Sequence, residues 1–164
     1  MRDMTNNKIK TKKELKKIIS EEKRAGRKIV ITNGAFDVLH PAHLRVIEKS
    51  KLLGDVLIVL LNSDKSIKGL KGEKRPINPQ NQRAEMLACL PWVDYVSIFE
   101  EDNPLKLIEF LEPDILTKGG AFLPERLKDE NALMSKLGGQ LKTFPLEPGY
   151  STTEIIKRVL GLNK

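Results

Sequence analysis

Cysteine is almost missing from this chain. Cys89 stands alone among 164 residues, so no disulfide can form within the chain, a composition that suits a reducing, cytoplasmic setting. Long apolar runs are missing too. The best candidate is interrupted by Asp55 and falls short of the roughly 20 residues that a membrane helix needs. The charged N-terminal segment contains no hydrophobic signal core. Aromatic residues make up 5% of the chain and form no cluster, which removes the stacking surface that sequence-specific RNA readers use. Neither G-x-x-x-x-G-K-[ST] nor G-x-G-x-x-G occurs, so neither a P-loop enzyme nor a usual dinucleotide dehydrogenase is supported. No Ser-His-Asp or Cys-His pattern offers a protein nucleophile.

What remains is a composition typical of a soluble globular protein, with a length that fits one domain over residues 1–164. The net charge of +7 is not spread evenly. Residues 1–28 hold 11 Lys/Arg and 4 Asp/Glu, and the remainder holds 18 of each. The excess is therefore an N-terminal segment, read as a flexible basic tail over residues 1–10 and then a solvated helix face. Its functional alternative is nonspecific attraction to polyanions.

From Thr11 the spacing of Leu15, Ile18 and Ile19 predicts an amphipathic helix that Gly26 can end. Residues 28–32 form a short β-branched run, hence a buried strand, followed by an Asn33-Gly34 turn. Residues 43–53 read as a helix and 56–61 as a continuous apolar strand buried on both faces. Residues 63–78 are polar and Lys-rich and read as a loop. Pro79 then opens a helix to Leu90, because Pro is favoured at the first helical position. Strands at 95–99, 115–118 and 140–144 alternate with helices at 104–111, 124–137 and 152–160. This alternation predicts an α/β fold, a Rossmann-like doubly wound parallel sheet of five strands covered on both faces. Ligands in such sheets bind beyond the carboxyl ends of the strands, where strand order reverses.

The segments after the strands carry the candidate chemistry. His40 and His43 are the only histidines, and their spacing of three places them on one face of a helical turn. Near the positive end of the helix dipole they can donate hydrogen bonds to an anion. A capping or packing pair, or half of a zinc site completed by carboxylates such as Asp37, are the alternatives. Lys65, Lys68, Lys71, Lys74 and Arg75, with Gly69 and Gly72, read either as a solvated loop or as a cationic flap over a triphosphate. Arg83 reads as a bidentate phosphate fork or an ordinary surface arginine. Lys118-Gly119-Gly120 allows close backbone approach to a ligand, or simply a tight turn. Ser151-Thr152-Thr153-Glu154 reads as a capping box whose hydroxyls and amides also suit a phosphate.

Taken in order, these segments resemble the cytidylyltransferase-like nucleotidyltransferase superfamily, whose H-x-G-H signature follows the first strand and whose S-T-T motif opens the last helix. The chain is most similar to the adenylyltransferase domain of heptose-phosphate enzymes, which make ADP-heptose. The residues carrying the resemblance are Thr32-Asn33-Gly34, Phe36-Asp37, Leu39-His40, His43, the stretch Leu60 to Asp64, Leu70-Lys71-Gly72, Arg75-Pro76, Asn78-Pro79, Gln82-Arg83, Val93-Asp94, Phe99-Glu100-Glu101-Asp102, Lys118-Gly119-Gly120 and Ser151-Thr152-Thr153. Two positions depart from the pattern. Ala42 stands where the family shows Gly, and Ala121 where the subgroup has an Asp on the acceptor side.

The resemblance implies attack of a sugar-1-phosphate oxygen on the α-phosphorus of ATP, with release of pyrophosphate. It implies His40 and His43 on the phosphates, Lys71 on the leaving group or acceptor phosphate, and Arg83 with the Ser151-Thr152 helix start on the triphosphate tail. It makes Thr32, Asn33, Gly34, Phe36, Asp37, Asn62, Asp64, Lys118, Gly119, Gly120, Ser151, Thr152 and Thr153 nucleotide-binding, with Asp37 orienting the histidine loop or a metal-bound water. Mg²⁺ is the implied cofactor, held by phosphate oxygens and water rather than directly by the protein. The implied partners are ATP and a sugar phosphate, with no specific nucleic acid, no membrane, and a homo-oligomeric assembly. A cytidylyltransferase acting on glycerol phosphate, and a non-catalytic nucleotide- or RNA-binding module, are the rival readings.

Overall fold

The structure, a computed structural model, describes residues 5, 7–120, 124–145 and 148–162. Ala121 lies outside the described residues, as does part of the expected tail. Five strands form one all-parallel sheet: β1 (Ile29–Gly34), β2 (Val56–Asn62), β3 (Tyr95–Phe99), β4 (Ile115–Gly119) and β5 (Gln140–Phe144), in the order β3-β2-β1-β4-β5. The helices are α1 (Lys12–Arg24), α2 (Pro41–Lys51), α3 (Asp64–Lys71), α4 (Gln80–Ala88), α5 (Leu105–Leu111), α6 (Lys128–Lys136) and α7 (Thr152–Gly161), with a 3₁₀ turn over Pro124–Leu127. The expected doubly wound parallel sheet is what forms.

Strand alternation decides which helix meets which face. Ile29 and Ile31 of β1 and Val56, Ile58 and Leu60 of β2 pack with Leu15, Ile19, Leu107, Ile108 and Met134. That is the face of α1, α5 and α6. Val30, Leu57, Val59 and Leu61 pack instead with Ile47, Ala84 and Leu87 of α2 and α4. All seven residues of β2 are buried, as expected of a central strand covered on both sides. The order of winding reverses between β1 and β4, so the crevice beyond their carboxyl ends is where a doubly wound sheet holds a ligand.

Four local expectations are corrected. Asn33-Gly34 is not a turn but the end of β1, because both residues still pair with β2 opposite Leu60 and Leu61. Residues 63–78 are not all loop. Ser63 caps α3, its side chain accepting from the Ser66 amide, and Ile67 is buried beneath the helix. A single buried turn amid lysines is too short to register as periodicity. Pro79 sits just outside α4 as its N-cap rather than at its first position. Residues 8–10 are not frayed: Lys10 N donates to Val96 O, Val96 N to Lys8 O, and Lys8 Nζ to Val93 O at 2.7 Å. They cover the outer edge of β3.

Candidate active site

The site is built where β1 ends. Phe36 turns back with φ +44, a left-handed conformation rare for a bulky residue. Its ring is buried and sits edge-on to His43, with centroids 5.3 Å apart. A Cβ at Gly34 would lie 3.0 Å from that ring, a tight contact that glycine avoids. His40 is the N-cap of α2 and Pro41 follows in the first turn. His43, three positions on, stacks its ring on that of His40 at 3.7 Å and 20°.

The two imidazoles share an unusual setting. Nδ1 of each is buried without a hydrogen-bond partner. Burial holds the His43 pKa down to about 4, helped by the neighbouring His40 and the Lys71 ammonium. Burial also lowers that of His40. Lys71, at the last turn of α3, has its pKa lowered by burial and then by the Arg75 charge, with Asp37 pulling the other way. Lys71 is an exposed residue that lines the cleft. Neutral imidazoles beside crowded cations describe a pocket that disfavours further positive charge. An anion relieves it.

His40, His43 and Lys71 share a cleft of about 330 Å³ with Gly119, Gly120 and the Ser151-Thr152-Thr153 helix start. Ala42, Val46, Pro145 and Tyr150 complete its walls. A larger hollow of about 600 Å³ runs beside α6, lined by Leu127, Ala132 and Leu141 with Glu125, Lys128 and Asn131, and none of the expected site residues borders it. Ser151 caps α7 with extended backbone, yet its side chain makes no cap bond, and Glu154 pairs with Lys157 instead of returning to it. The expected capping box is therefore absent, which leaves the Ser151 hydroxyl and the first amides of α7 open to an anion. Thr152 Oγ1 donates to Val38 O at 3.4 Å and ties α7 to the histidine loop.

Other expected site residues are placed elsewhere. Arg83 has no solvent exposure. Its Nε donates to Asn78 O, its Nη1 to Ala35 O and Asn62 O, and its Nη2 to Asp64 Oδ1 at 2.7 Å. Its fork is spent on the residue after β1, the end of β2, the start of α3 and the segment before α4, so it shapes the site rather than gripping a phosphate. Asn62 donates to Ser66 Oγ, and the Asp64 amide donates to Gln80 Oε1. Both fix the α3–α4 corner. Thr32 is buried and donates to Thr117 O across the sheet. Lys118 lies on the opposite face of β4 from Thr117 and pairs with Glu130 of α6 at 3.0 Å, because alternate strand residues face opposite ways. Asn33 keeps a buried Oδ1 without a partner.

Asp37 proves to be a buried clasp. Oδ2 accepts from Arg75 Nε at 2.6 Å, Oδ1 from the amides of Ile77 and Asn78, and its backbone carbonyl from Asn78 Nδ2. It orients the 75–78 segment, and so the end of α3 that carries Lys71. Sequence reasoning missed the separate role of Arg75, whose Nη2 is buried and unpartnered. Gly119 serves packing: a Cβ there would meet Val46 at 2.4 Å, so the residue lets α2 lie close on β4. Among the described residues no three His, Cys, Asp or Glu side chains group to hold a metal ion. No described helix is long and apolar enough to cross a membrane.

A family profile described as Cytidylyltransferase-like matches residues 31–158. The chain is 47% identical over 156 residues to the bifunctional protein HldE of Pelobacter propionicus, covering 95% of this chain and 32% of that one. It is 49% identical over 152 residues to the HldE of Campylobacter jejuni strain RM1221, covering 93% and 31%. The chain thus spans about a third of the length of the relatives it matches. Among solved structures, the lipopolysaccharide core biosynthesis protein from Thermoplasma volcanium superposes with a TM-score of 0.61 at 30% identity, covering 77% of this chain and all of that one. The pantoate-beta-alanine ligase of Francisella tularensis superposes at 0.63 with 18% identity, covering 95% and 79%, a likeness of fold alone.

Proposed function

The chain belongs to the cytidylyltransferase-like family, and from that premise we propose that it transfers AMP from ATP to a heptose 1-phosphate, forming ADP-heptose and releasing pyrophosphate. The observation that carries this reading is the anion-seeking cleft. Two stacked imidazoles, the crowded Lys71 ammonium and the uncapped start of α7 all line one space. A nucleoside triphosphate has the charge and the row of oxygens to satisfy them together. The similarity to HldE proteins supports the sugar phosphate as acceptor.

An oxygen of the acceptor phosphate attacks the α-phosphorus as the bond from that phosphorus to the β-phosphate oxygen breaks, and pyrophosphate departs with the electron pair. A phosphate monoester is already largely ionised at neutral pH, so no protein base is required. The work left to the protein is to align two anions and to offset charge on the leaving group. His40 and His43 hold phosphate oxygens from the N-terminus of α2, Lys71 meets the departing pyrophosphate, and Ser151 to Thr153 hold the triphosphate from the other wall. Asp37 is fully occupied by Arg75, Ile77 and Asn78, so a Mg²⁺ ion would be carried on phosphate oxygens and water. It would supply further charge neutralisation there. The reaction belongs in the cytoplasm, where ATP is supplied. A homo-oligomer forms part of the reading, supported by the exposed Val159 and Leu160 on α7 and Leu162 just past its end.

Pyrophosphate release with Mg²⁺, each of the four nucleoside triphosphates, and a panel of heptose 1-phosphates with glycerol 3-phosphate tests this. Release only with ATP and a heptose 1-phosphate is the expected result. A clear preference for CTP with glycerol 3-phosphate overturns the base and the acceptor together.

A further inference from the structure

The phosphate donors of the cleft leave open what receives the nucleoside. His40, His43 and Lys71 supply its polar groups, and Val46, Pro145 and Tyr150 supply apolar wall. Among the described residues lining the cleft, Tyr150 is the only one with a phenol, phenyl or indole ring. It immediately precedes Ser151, the N-cap of α7, so a molecule whose phosphates rest on that helix start passes directly beside its ring. The Arg45 guanidinium, on α2, lies 5.1 Å from the Tyr150 ring centroid, within the range of a cation–π contact. One face of the ring is thereby held by the same helix that carries His43. A ring fixed in this way loses little freedom when a second flat group stacks on it.

Resting on the nucleotide-binding reading of this cleft, we propose that Tyr150, held by Arg45, is the platform on which the nucleobase stacks, and that it favours a purine. The two-ring purine covers more of the phenol than a pyrimidine does. The preference for ATP is then set by a single aromatic residue rather than by hydrogen bonds to the base edge. A hydrogen bond from the phenolic oxygen is not part of this role, so phenylalanine can replace tyrosine.

Calorimetric binding of ATP, CTP and inorganic tripolyphosphate to the wild type, Tyr150→Phe and Tyr150→Ala tests the proposal. Tyr150→Ala should weaken ATP about ten- to hundredfold, the range for losing one base–aromatic stack. It should weaken CTP less and leave tripolyphosphate unchanged, while Tyr150→Phe matches the wild type for all three. Equal weakening of tripolyphosphate and ATP would overturn the proposal, because the residue would then be acting through the α7 start. Unchanged ATP affinity in Tyr150→Ala would overturn it as well. If ATP binds through Tyr150 but no acceptor yields pyrophosphate, the platform stands and the transfer reading fails. If the wild type binds tripolyphosphate as tightly as ATP, the platform fails and the phosphate site stands.

Discussion

At the scale of single residues, His43 concentrates the argument. Its ring is packed between Phe36 and His40, and its pKa is about 4 against an ordinary 6.5. It is therefore a neutral imidazole at working pH, with one N–H to donate to a phosphate oxygen. His43→Ala should cut turnover by about 10² or more while the circular dichroism spectrum and melting temperature stay close to wild type, the scale of losing one charge-stabilising donor. Full activity in that variant would contradict the assignment. The same pKa has a consequence for stability. The unfolded chain protonates this histidine near pH 6.5, whereas the fold resists until about pH 4. Between those values the unfolded state binds more protons, so stability falls as pH drops from 6.5 to 4, by at most about 3 kcal/mol, and levels off below. The urea midpoint of the wild type should fall between pH 7 and 4.5 more steeply than that of His43→Gln, the variant having lost that slope. The histidine pair was legible in the sequence because two residues three apart after a strand carry their own geometry. The burial of Arg83 was not. Its partners Ala35, Asn62 and Asn78 offer backbone carbonyls, which leave no mark in a side-chain pattern.

At the scale of elements, the site depends on how α2 and α3 are seated. Arg83 ties the end of β1, the end of β2 and the segment before α4 together from a fully buried position. Arg83→Met should therefore lower stability by about 3 kcal/mol, the scale of breaking a buried charge network, and it should weaken nucleotide binding only as the loops loosen. Denaturant unfolding beside ATP affinity separates the two effects. Gly119 sets the distance between α2 and β4. Gly119→Ala should cost about 1–3 kcal/mol through overpacking against Val46, and Val46→Ala in the same chain should recover much of that cost. The strand and helix alternation was readable because parallel strands are apolar throughout and helices are periodic. Helix α3 was not, since its short buried face of Ser66 and Ile67 is masked by lysines. Lys118 followed its glycines into the expected nucleotide site, but strand alternation sends it to Glu130 on the other face.

At the scale of the whole molecule, residues 8–10 of the basic N-terminal segment and the proposed nucleotide cleft are separate features. Residues 8–10 lie along the outer edge of β3, while the cleft opens between β1 and β4. Removing residues 1–10 should lower the melting temperature by a few degrees, the scale of a lost kcal/mol in a domain of this size, and leave ATP affinity nearly intact. A collapse of affinity in a folded variant would favour a polyanion-binding role for the segment. The chemistry proposed for this cleft is attack on the α-phosphorus of ATP by an oxygen of the acceptor phosphate itself. Turnover of ATP with a heptose 1-phosphate whose terminal phosphate oxygens carry ¹⁸O tests it most directly, followed by mass spectrometry of both products. The label should appear entirely in the sugar nucleotide, one labelled oxygen bridging its two phosphorus atoms, with the pyrophosphate unlabelled. Labelled pyrophosphate, or release of pyrophosphate with AMP and no sugar nucleotide, would contradict the account.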